Sequence, residues 1–486
     1  MAQSFDAYYE SKEKDLLMDI CDSIGIASIA GEPDAEGNPF GKPVTECLEH
    51  VLDCGRRFGF QTKDVDHYVG EITVGEGAHL IGILCHADVV DAGSGWKTDP
   101  FCAVVKDGRL YGRGAIDDKG PMMCCLYAMH YIKQNDLLPE NTRIRMIVGT
   151  DEEENWVSID KYLEKNPEIP EISIVPDASF PVIFCEKGLV NLTMTVPIHS
   201  GSDKTGGGLV LKIADLCGGE RPNVVAASAC CRITCADPAY HAEALSEELL
   251  RLSKNLGAPV RLRQEESGAL VIEVKGRAAH AMTPEKGCNA ISYLMKLLHL
   301  LTCEGRYTFI QQSMIDFYNR WIGTEYHGES MKLSWCDDDS GALTVNIGQL
   351  EMEGANFSMV MNIRYPVTRS FDEVRDVIDA LCEENAASVH FGVCMDPISF
   401  DRNSGIVRTL MDVYRSHTGD TESQPIALGG ATYARAIPGA IAFGPVFPDQ
   451  EELAHEANEC YSVAGYRRIT EMYAEALQRL SAMIGD

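Results

Sequence analysis

Apolar and polar positions alternate in blocks along the first part of the chain. Short apolar runs bounded by polar residues are typical of buried strands, and longer stretches with apolar residues three or four apart are typical of helices. The strands predicted in this way are 79–85, 143–149 and 172–175, and the predicted helices run from just after Asp118 to about Gln134 and over 156–165. Strands that alternate with helices favour an α/β domain with parallel strands.

The pattern changes after Gly188 and changes back near residue 385. Between these points strands with alternating polar and apolar residues are predicted at 189–196, 229–235 and 269–276, with helices at 240–255 and 288–302. After residue 385 the α/β pattern resumes, with a helix at 405–419, a strand at 439–444 and a last helix at 466–484.

Two domains are the expectation for 486 residues, because a single core usually stops growing at a shorter length. We predict an α/β domain made of residues 1–188 and 385–486, with a mixed, largely parallel sheet flanked by helices. An α+β domain of residues 189–384 is predicted to be inserted into it.

The net charge of the chain and the distribution of its cysteines indicate which partners and which cellular compartment to expect. The 42 Lys and Arg residues against 73 Asp and Glu residues give a net charge of −31, which repels nucleic acid and an anionic membrane surface alike. We therefore predict no nucleic acid and no membrane as partners. The N-terminus has no signal-peptide pattern, and the 18 cysteines are scattered, so we interpret them as reduced thiols of a cytoplasmic protein.

Acidic residues and histidines follow the predicted strands where each strand ends. They are His86 and Asp88, Asp151 to Glu154, Asp177, His455, and Asp117, which opens a predicted helix. Taken singly, such residues are usually turn residues, helix caps or surface side chains. The carboxyl ends of parallel strands form the ligand crevice of an open sheet, so their coincidence there predicts a shared site.

The residue types in this set suit metal binding. His86 and Asp88 are two residues apart and should point the same way, which lets the carboxylate accept the second N–H of a metal-bound imidazole. The carboxylates of Asp117, Glu153 and Asp177 would balance most of the charge of two divalent ions and leave the remainder for a bridging hydroxide.

Seven segments carry a resemblance to a known family. They are HADVVDAGSGWKTDPF (86–101), LYGRGAIDDKGP (110–121), GTDEE (149–153), PDASFPVIFCEKG (176–188), GRAAHAMTP (276–284), GGATYARAIPGAIAFG (429–444) and HEANE (455–459). Their order and spacing resemble the dinuclear metallopeptidases that include peptidase V, aminoacylases, carnosinases, acetylornithine deacetylase and succinyl-diaminopimelate desuccinylase. The closest resemblance is to the peptidase V-like dipeptidases.

The resemblance implies a role for each metal-site residue. It makes His86 and Asp177 ligands of one metal ion, Glu153 and His455 ligands of the other, and Asp117 the carboxylate that bridges both. The ions implied are two divalent metals, zinc first, with manganese or cobalt as alternatives, because His and carboxylate ligands suit all three.

Catalytic and substrate-binding residues are implied in the same way. Asp88 becomes the residue that orients His86, Glu152 the general base, and His280 the donor that stabilises the tetrahedral oxyanion from the inserted lid domain. The positions that grip substrate are Asn223, Arg364 and Gly430. Arg364 suits a bidentate hold on a free carboxylate, although a strand Arg in a surface ion pair is the alternative reading.

The function predicted is hydrolysis of the peptide bond of small peptides, with a bridging metal hydroxide and a Glu general base. An N-acyl amino acid amidohydrolase, such as a deacylase or desuccinylase, is the alternative, because the same metals and base would cut either bond. A non-catalytic metal-dependent binding protein is a third reading, against which stand the intact base and ligands. Monomer and homodimer both stay open.

Overall fold

A computed structural model describes residues 3–199, 208–257 and 259–485 of the chain. Packing divides it into two compact units. The first comprises Met1–Phe184, Phe400–Ile426 and Ala431–Asp486, and the second comprises Cys185–Ser399 and Ala427–Gly430. Each unit is described by itself.

The division does not fall where the sequence pattern placed it. The predicted return to the first domain was at residue 385, whereas the second unit continues to Ser399. The reason is the strand Ser388–Met395, which pairs antiparallel with the strand Gly188–Pro197 of the second unit. Whether either unit folds as an independent domain stays a prediction.

The first unit contains a mixed sheet whose central strands are parallel. In spatial order its strands are Gln61–Val65, Val69–Gly75, Thr142–Gly149, His79–His86, Ile172–Val175 and Ala440–Ala442. The last four run parallel to one another, and the first two join the edge antiparallel. Smaller sheets are formed by Val104–Lys106, Arg109–Tyr111 and Cys460–Ser462, and by Ala178–Ser179 with Pro445–Val446.

Helices flank this sheet and owe their positions to apolar faces. They are Phe5–Ile24, Lys42–Arg57, Lys119–Gln134, Val157–Glu164, Gly405–Thr418 and Val463–Gly485. In Lys42–Arg57 the buried residues Val44, Cys47, Leu48 and Val51 recur every three or four positions, which places them on one face. The helix Lys119–Gln134 is buried along most of its length.

The second unit is built on an antiparallel sheet of eight long strands. In spatial order they are Val260–Gln264, Leu270–Lys275, Ser228–Cys235, Leu209–Gly218, Thr344–Glu353, Asn356–Tyr365, Gly188–Pro197 and Ser388–Met395. The short strand Tyr307–Phe309 adds parallel to Leu209–Gly218, and Cys336–Asp337 pairs with Gly341–Ala342 in a separate hairpin. The boundaries between the units fall within two short strands, Ile183–Glu186 and Ile426–Leu428. The strand Ile398–Ser399 pairs antiparallel with Ile183–Glu186.

Four helices accompany the second sheet: Pro238–Leu256, Ala290–Cys303, Gln312–Trp321 and Phe371–Asn385. The last begins with a capping box, in which Ser370 and Glu373 satisfy each other's backbone N–H groups. The core between sheet and helices is almost wholly aliphatic and aromatic, with Leu298, Met361 and Phe357 among its fully buried members.

The predicted fold class is confirmed: a mixed α/β unit flanked by helices, with a second, α+β unit inserted in its sequence. None of the helices in the described ranges combines the length and apolar character needed to span a bilayer. All 18 cysteines fall in those ranges, and none of them forms a disulfide.

Candidate active site

Neighbouring parallel strands of the first unit end in the predicted site residues. His86 is the last residue of the strand His79–His86, and Glu152 and Glu153 follow the strand Thr142–Gly149. Asp177 follows Ile172–Val175, which also pairs parallel with His79–His86. The side chains therefore meet at one edge of the sheet, as expected for an open α/β sheet.

Asp117 lies at the centre of the cluster. Its Oδ1 atom is 3.0 Å from Nε2 of His86, and its Oδ2 atom is 3.0 Å from Nε2 of His455. The two oxygens of a single carboxylate thus face two different imidazoles, which is the arrangement required of a bridging ligand. The peptide bond between Asp117 and Asp118 is cis.

Two other carboxylates lie close to the same imidazoles, one beside each. Nε2 of His455 lies 2.9 Å from Oε2 of Glu153, and Nε2 of His86 lies 3.6 Å from Oδ2 of Asp177. Ligand atoms of His86, Asp117 and Glu153 all lie within 4.8 Å of one another, and so do those of His86, Glu152 and Asp177. The structure therefore brings all five predicted ligands and the predicted base into one cluster.

This donor set fits divalent cations. Imidazole nitrogens and carboxylate oxygens suit zinc, manganese and cobalt, and three acidic ligands with two neutral imidazoles leave room for two positive ions. Asp117, with one oxygen toward each imidazole, divides the donors into a half with His86 and Asp177 and a half with His455 and Glu153.

Crowding raises the proton affinity of the acidic residues. Burial raises the pKa of Glu152 well above the usual range of a glutamate. Burial and the charge of Asp117 raise the pKa of Glu153 to about 7, and the same two causes raise the pKa of Asp177. Carboxylates packed this closely favour a nearby positive charge.

Neighbouring carboxylates raise the proton affinity of both imidazoles. Burial acts to lower the pKa of His455, but hydrogen bonds with Asp117 and Glu153 outweigh it and raise the pKa to about 11. Hydrogen bonds with Asp117 and Asp177 likewise outweigh burial and raise the pKa of His86. Carboxylates that favour a proton on an imidazole would also favour a cation, and binding of that cation would release the proton.

Asp88 makes contacts that the sequence did not predict. Its carboxylate was expected to accept the second N–H of His86, but Nδ1 of His86 donates to the backbone carbonyl of Asp88 at 3.0 Å, and the carboxylate is farther, at 3.5 Å. The carboxylate oxygens instead accept the backbone N–H groups of Glu152 and Glu153, at 3.1 and 3.0 Å. Asp88 therefore links His86 to the loop of the predicted base.

Two further residues fix this loop. The carboxylate of Asp151 accepts the N–H groups of Val157 and Ser158 at 2.7 and 2.8 Å and so caps the helix Val157–Glu164. The indole N–H of Trp156 donates to the carbonyl of Glu152 at 2.7 Å. The backbone of Glu152 is thereby held from both sides.

The second unit brings the predicted substrate residues together by main-chain pairing. Val224 forms an isolated β-bridge with His280, and the carbonyl of Asn223 accepts the N–H of Ala281 at 2.9 Å. Arg364 is buried, and its Nη1 atom donates to the carbonyl of Gly429 at 2.6 Å, one residue before Gly430.

A buried asparagine joins these two segments. The side-chain amide of Asn346 donates to the carbonyls of Pro222 and Val224 at 2.9 and 3.0 Å, on either side of Asn223. Asn346 pairs in register with Asn362, whose Oδ1 atom accepts from Nε of Arg364 at 2.9 Å. A chain of contacts within the second unit therefore connects Asn223 with Arg364.

Sequence reasoning missed the residues that hold the site in place. The sequence pattern did not single out Asn346, Arg113 and Glu459, because none of the three belongs to a recognisable spacing of catalytic or metal-binding residues. Arg113 and Glu459 do occur within the quoted segments GRGAIDDKG and HEANE, and both are fully buried. The occurrence of these charged residues within such segments was the signal available for the pair.

Known proteins with similar sequences are dipeptidases by name. The chain is 35% identical over 486 residues to "Putative dipeptidase YtjP" of Bacillus subtilis (strain 168), covering 97% of this chain and 98% of the relative. It is 33% identical over 479 residues to a "Putative dipeptidase" of Staphylococcus epidermidis, covering 96% and 97% of the two chains.

Solved structures share the fold. Human carnosine dipeptidase 1 superposes with a TM-score of 0.56 at 15% identity and 98% coverage of both chains. The di-peptidase Dug1p of Saccharomyces cerevisiae gives a TM-score of 0.56 at 13% identity and 99% coverage of both chains. At these identities the likeness concerns the fold.

The sequence comparisons define the class of the protein as a metal-dependent hydrolase. The sequence profile described as Peptidase family M20/M25/M40 matches residues 82–479, and the chain belongs to that family.

Proposed function

We propose that this protein is a dipeptidase that hydrolyses the peptide bond of small peptides with two divalent metal ions. His86 and Asp177 would hold one ion and His455 and Glu153 the other. The observation that carries the proposal is the geometry of Asp117, whose two carboxylate oxygens each lie 3.0 Å from a different imidazole. Zinc is the first choice of metal, with manganese and cobalt as alternatives.

Glu152 is proposed as the general base. Bound ions would polarise the scissile carbonyl and lower the pKa of the attacking water. Glu152 would take the proton from that water and hand it to the leaving amine, a role that needs a carboxylate not used up as a ligand. Its backbone is held by Asp88 and Trp156, which supports a fixed orientation of the side chain.

The second unit would supply recognition. We propose that His280 donates to the developing oxyanion and that Arg364 binds the substrate's C-terminal carboxylate, with Asn223 and the backbone at Gly430 as further contacts. The contact chain from Asn223 through Asn346 and Asn362 to Arg364 supports a common role for these residues.

Dipeptides are favoured over N-acyl amino acids by the names of the sequence relatives, which cover nearly the whole chain. A deacylase or desuccinylase would use the same ions and the same base, so only the substrates that the protein cleaves can distinguish the two functions. A binding protein without activity is disfavoured because Glu152 and all five ligands are present and assembled. The cytoplasmic location and the oligomeric state stay predictions.

The test is a substrate panel on purified protein that has been stripped of metal and reloaded with Zn²⁺ or Mn²⁺. The panel contains free dipeptides, their N-acetylated forms and tripeptides. We expect cleavage of free dipeptides that depends on the added ion. Cleavage of the acylated forms alone would establish the alternative function, and no cleavage with any ion would contradict the proposal.

The matched variant is Glu152→Gln, which keeps the size of the side chain and removes its basicity. We expect kcat to fall by about 10²–10⁴-fold with both ions still bound, because proton transfer is lost while the ligands remain. Metal content is measured on the same samples by plasma mass spectrometry. An active Glu152→Gln protein would overturn the assignment of the base.

A further inference from the structure

Glu459 is a fully buried carboxylate for which the proposed reaction has no direct use. It lies four positions after His455, in the segment HEANE, and just before the short strand Cys460–Ser462. Buried acidic side chains are rare unless they are paired and hydrogen-bonded, so the contacts of Glu459 indicate what it is for.

One oxygen of Glu459 organises the loop that carries Asp117. Its Oε1 atom accepts the backbone N–H groups of Gly114, Ile116 and Asp117, at 3.1, 2.8 and 3.3 Å. Three donors on a single oxygen fix the path of the backbone directly before the side chain that faces both imidazoles. The position of the Asp117 carboxylate therefore depends on Glu459.

The other oxygen reaches the opposite side of the site through Arg113. The Oε2 atom of Glu459 accepts from Nη1 of Arg113 at 2.7 Å, and both side chains are buried. Nη2 of Arg113 donates to the carbonyl of His455 at 3.3 Å and to the carbonyl of Asp91 at the same distance. The ion pair thus holds the backbone of a second predicted ligand.

His455 needs such support because of its backbone conformation. Its φ angle is 65°, in the left-handed region of backbone conformation that residues other than glycine rarely adopt. A residue in that region persists only when its surroundings hold it there. The guanidinium of Arg113, itself anchored by Glu459, contacts the carbonyl of this residue.

We infer that Glu459 is a positioning residue of the metal centre, which sets the spacing between Asp117 and His455 by holding both backbones, the second through Arg113. The inference rests on the proposed function, since it concerns the ligands of the proposed ions. A buried ion pair that merely stabilised the fold would not need to contact the main chain of two ligands. Residues that orient ligands in this way typically change metal affinity about 10–100-fold when they are mutated.

Glu459→Gln tests the inference because every contact of Glu459 is an acceptor contact. A glutamine presents one oxygen and one NH₂ group, so a donor would face either the three backbone N–H groups or Arg113. The matched control is Glu71→Gln, which changes another buried glutamate of the first unit, one that accepts from the hydroxyl of Tyr162 at 2.8 Å.

The measurement is the dissociation constant of Zn²⁺ and of Mn²⁺, obtained by competition with a chromophoric chelator, together with the melting temperature of each metal-free protein. We expect Glu459→Gln to weaken metal binding about 10–100-fold, and Glu71→Gln to leave the affinity as in the unchanged protein. Should Glu459→Gln fail to fold, Arg113→Lys serves as the second variant. A lysine can keep the pair with Glu459, but it cannot also reach the carbonyl of His455, so we expect about tenfold weaker binding.

Three results would overturn the inference. In the first, Glu459→Gln lowers the melting temperature but binds metal with the original affinity, which shows a purely structural pair. In the second, both Gln variants weaken binding equally, which shows an unspecific effect. In the third, the unchanged protein takes up no ion at all, and then the proposed function fails as well; in the other two cases it stands.

Discussion

The two units of the protein bury polar groups of different kinds. In the first unit the buried polar residues at the predicted site are charged, with carboxylates such as Asp117 and Asp88 around the imidazole of His86. In the second unit the buried residues that connect the predicted substrate residues are neutral amides, Asn346 and Asn362, next to Arg364; Glu186 and Lys187 are buried in that unit as well.

The difference follows from what each set must contact. Burying a charge is costly unless an opposite charge or a metal ion compensates for it, so the acidic cluster of the first unit is consistent with cations as partners. A buried amide can be satisfied by main-chain groups alone, as when Asn346 donates to the carbonyls of Pro222 and Val224. The first set suits chemistry on ions, and the second suits precise placement of backbone.

Replacing a carboxylate of the predicted metal site by an amide should have the largest effect on metal affinity and activity. In Asp117→Asn one of the two oxygens becomes an NH₂ group, which cannot ligate a cation, so the bridge between the two halves is lost. We expect metal affinity to fall by more than about 100-fold, beyond the range of outer-sphere changes, with activity lost in parallel. Metal content after gel filtration and turnover of a free dipeptide are the measurements.

Asp19→Asn is the control for this exchange. Asp19 is also buried in the first unit, where it accepts from Arg57 and Tyr127 at 2.7 Å each, and it lies outside the cluster. Its variant should retain both ions even if it is less stable. Retention of two ions by Asp117→Asn would show that charge is not what distinguishes the two units.

Replacing an amide by a carboxylate in the second unit should have a smaller effect, and the effect should be on the free energy of unfolding rather than on metal binding. In Asn346→Asp a carboxylate oxygen replaces the NH₂ group that donates to Pro222 and Val224, so oxygen faces oxygen. Losing two buried donor contacts should cost about 2–4 kcal/mol of the free energy of unfolding. Denaturant unfolding measures this cost, and metal content should stay unchanged. An unchanged free energy of unfolding would mean that the amide network is not needed.

Much of the first unit could be predicted because its signals are local. The strand His79–His86 is buried from Leu80 onward, so its apolar run is visible in the sequence. The parallel order of the strands then places His86, Asp177 and Glu153 at one edge. The edge strand Gln61–Val65 was missed because most of its residues are exposed or half-buried, so it lacks an apolar run.

The supporting contacts could not be predicted because they depend on tertiary approach. Asp88 receives the N–H groups of Glu152 and Glu153, which are more than 60 positions away, and no periodicity encodes a bond to the main chain. The same holds for Glu459, whose partners at 114–117 lie more than 340 positions away. The second unit extends beyond the predicted domain boundary at residue 385 for a related reason, since only strand pairing assigns Ser388–Met395 to it.

The smallest expected effect is a coupling of metal binding to pH, which only the charged cluster should show. Ligands must lose their protons before they bind a cation. The raised pKa of His455, about 11, means that its imidazole is protonated throughout the neutral range in the metal-free protein, so uptake of the ions releases a proton there at any pH below this value. The pKa of Glu153, about 7, adds a further release only below neutrality.

Metal affinity should therefore fall as the pH falls, and more steeply below about pH 7 than above it. Titration calorimetry in pairs of buffers with different ionisation enthalpies counts the protons released. We expect protons to be released at pH 8.5, because the pKa values of both His455 and His86 are raised, and a larger number toward pH 6 in the unchanged protein. His455→Ala should lower the release at the higher pH, to which His86 still contributes, whereas Asn346→Asp should leave it in place. A proton count that is the same at both pH values would contradict the assignment of Glu153 as a buried ligand that titrates near neutrality.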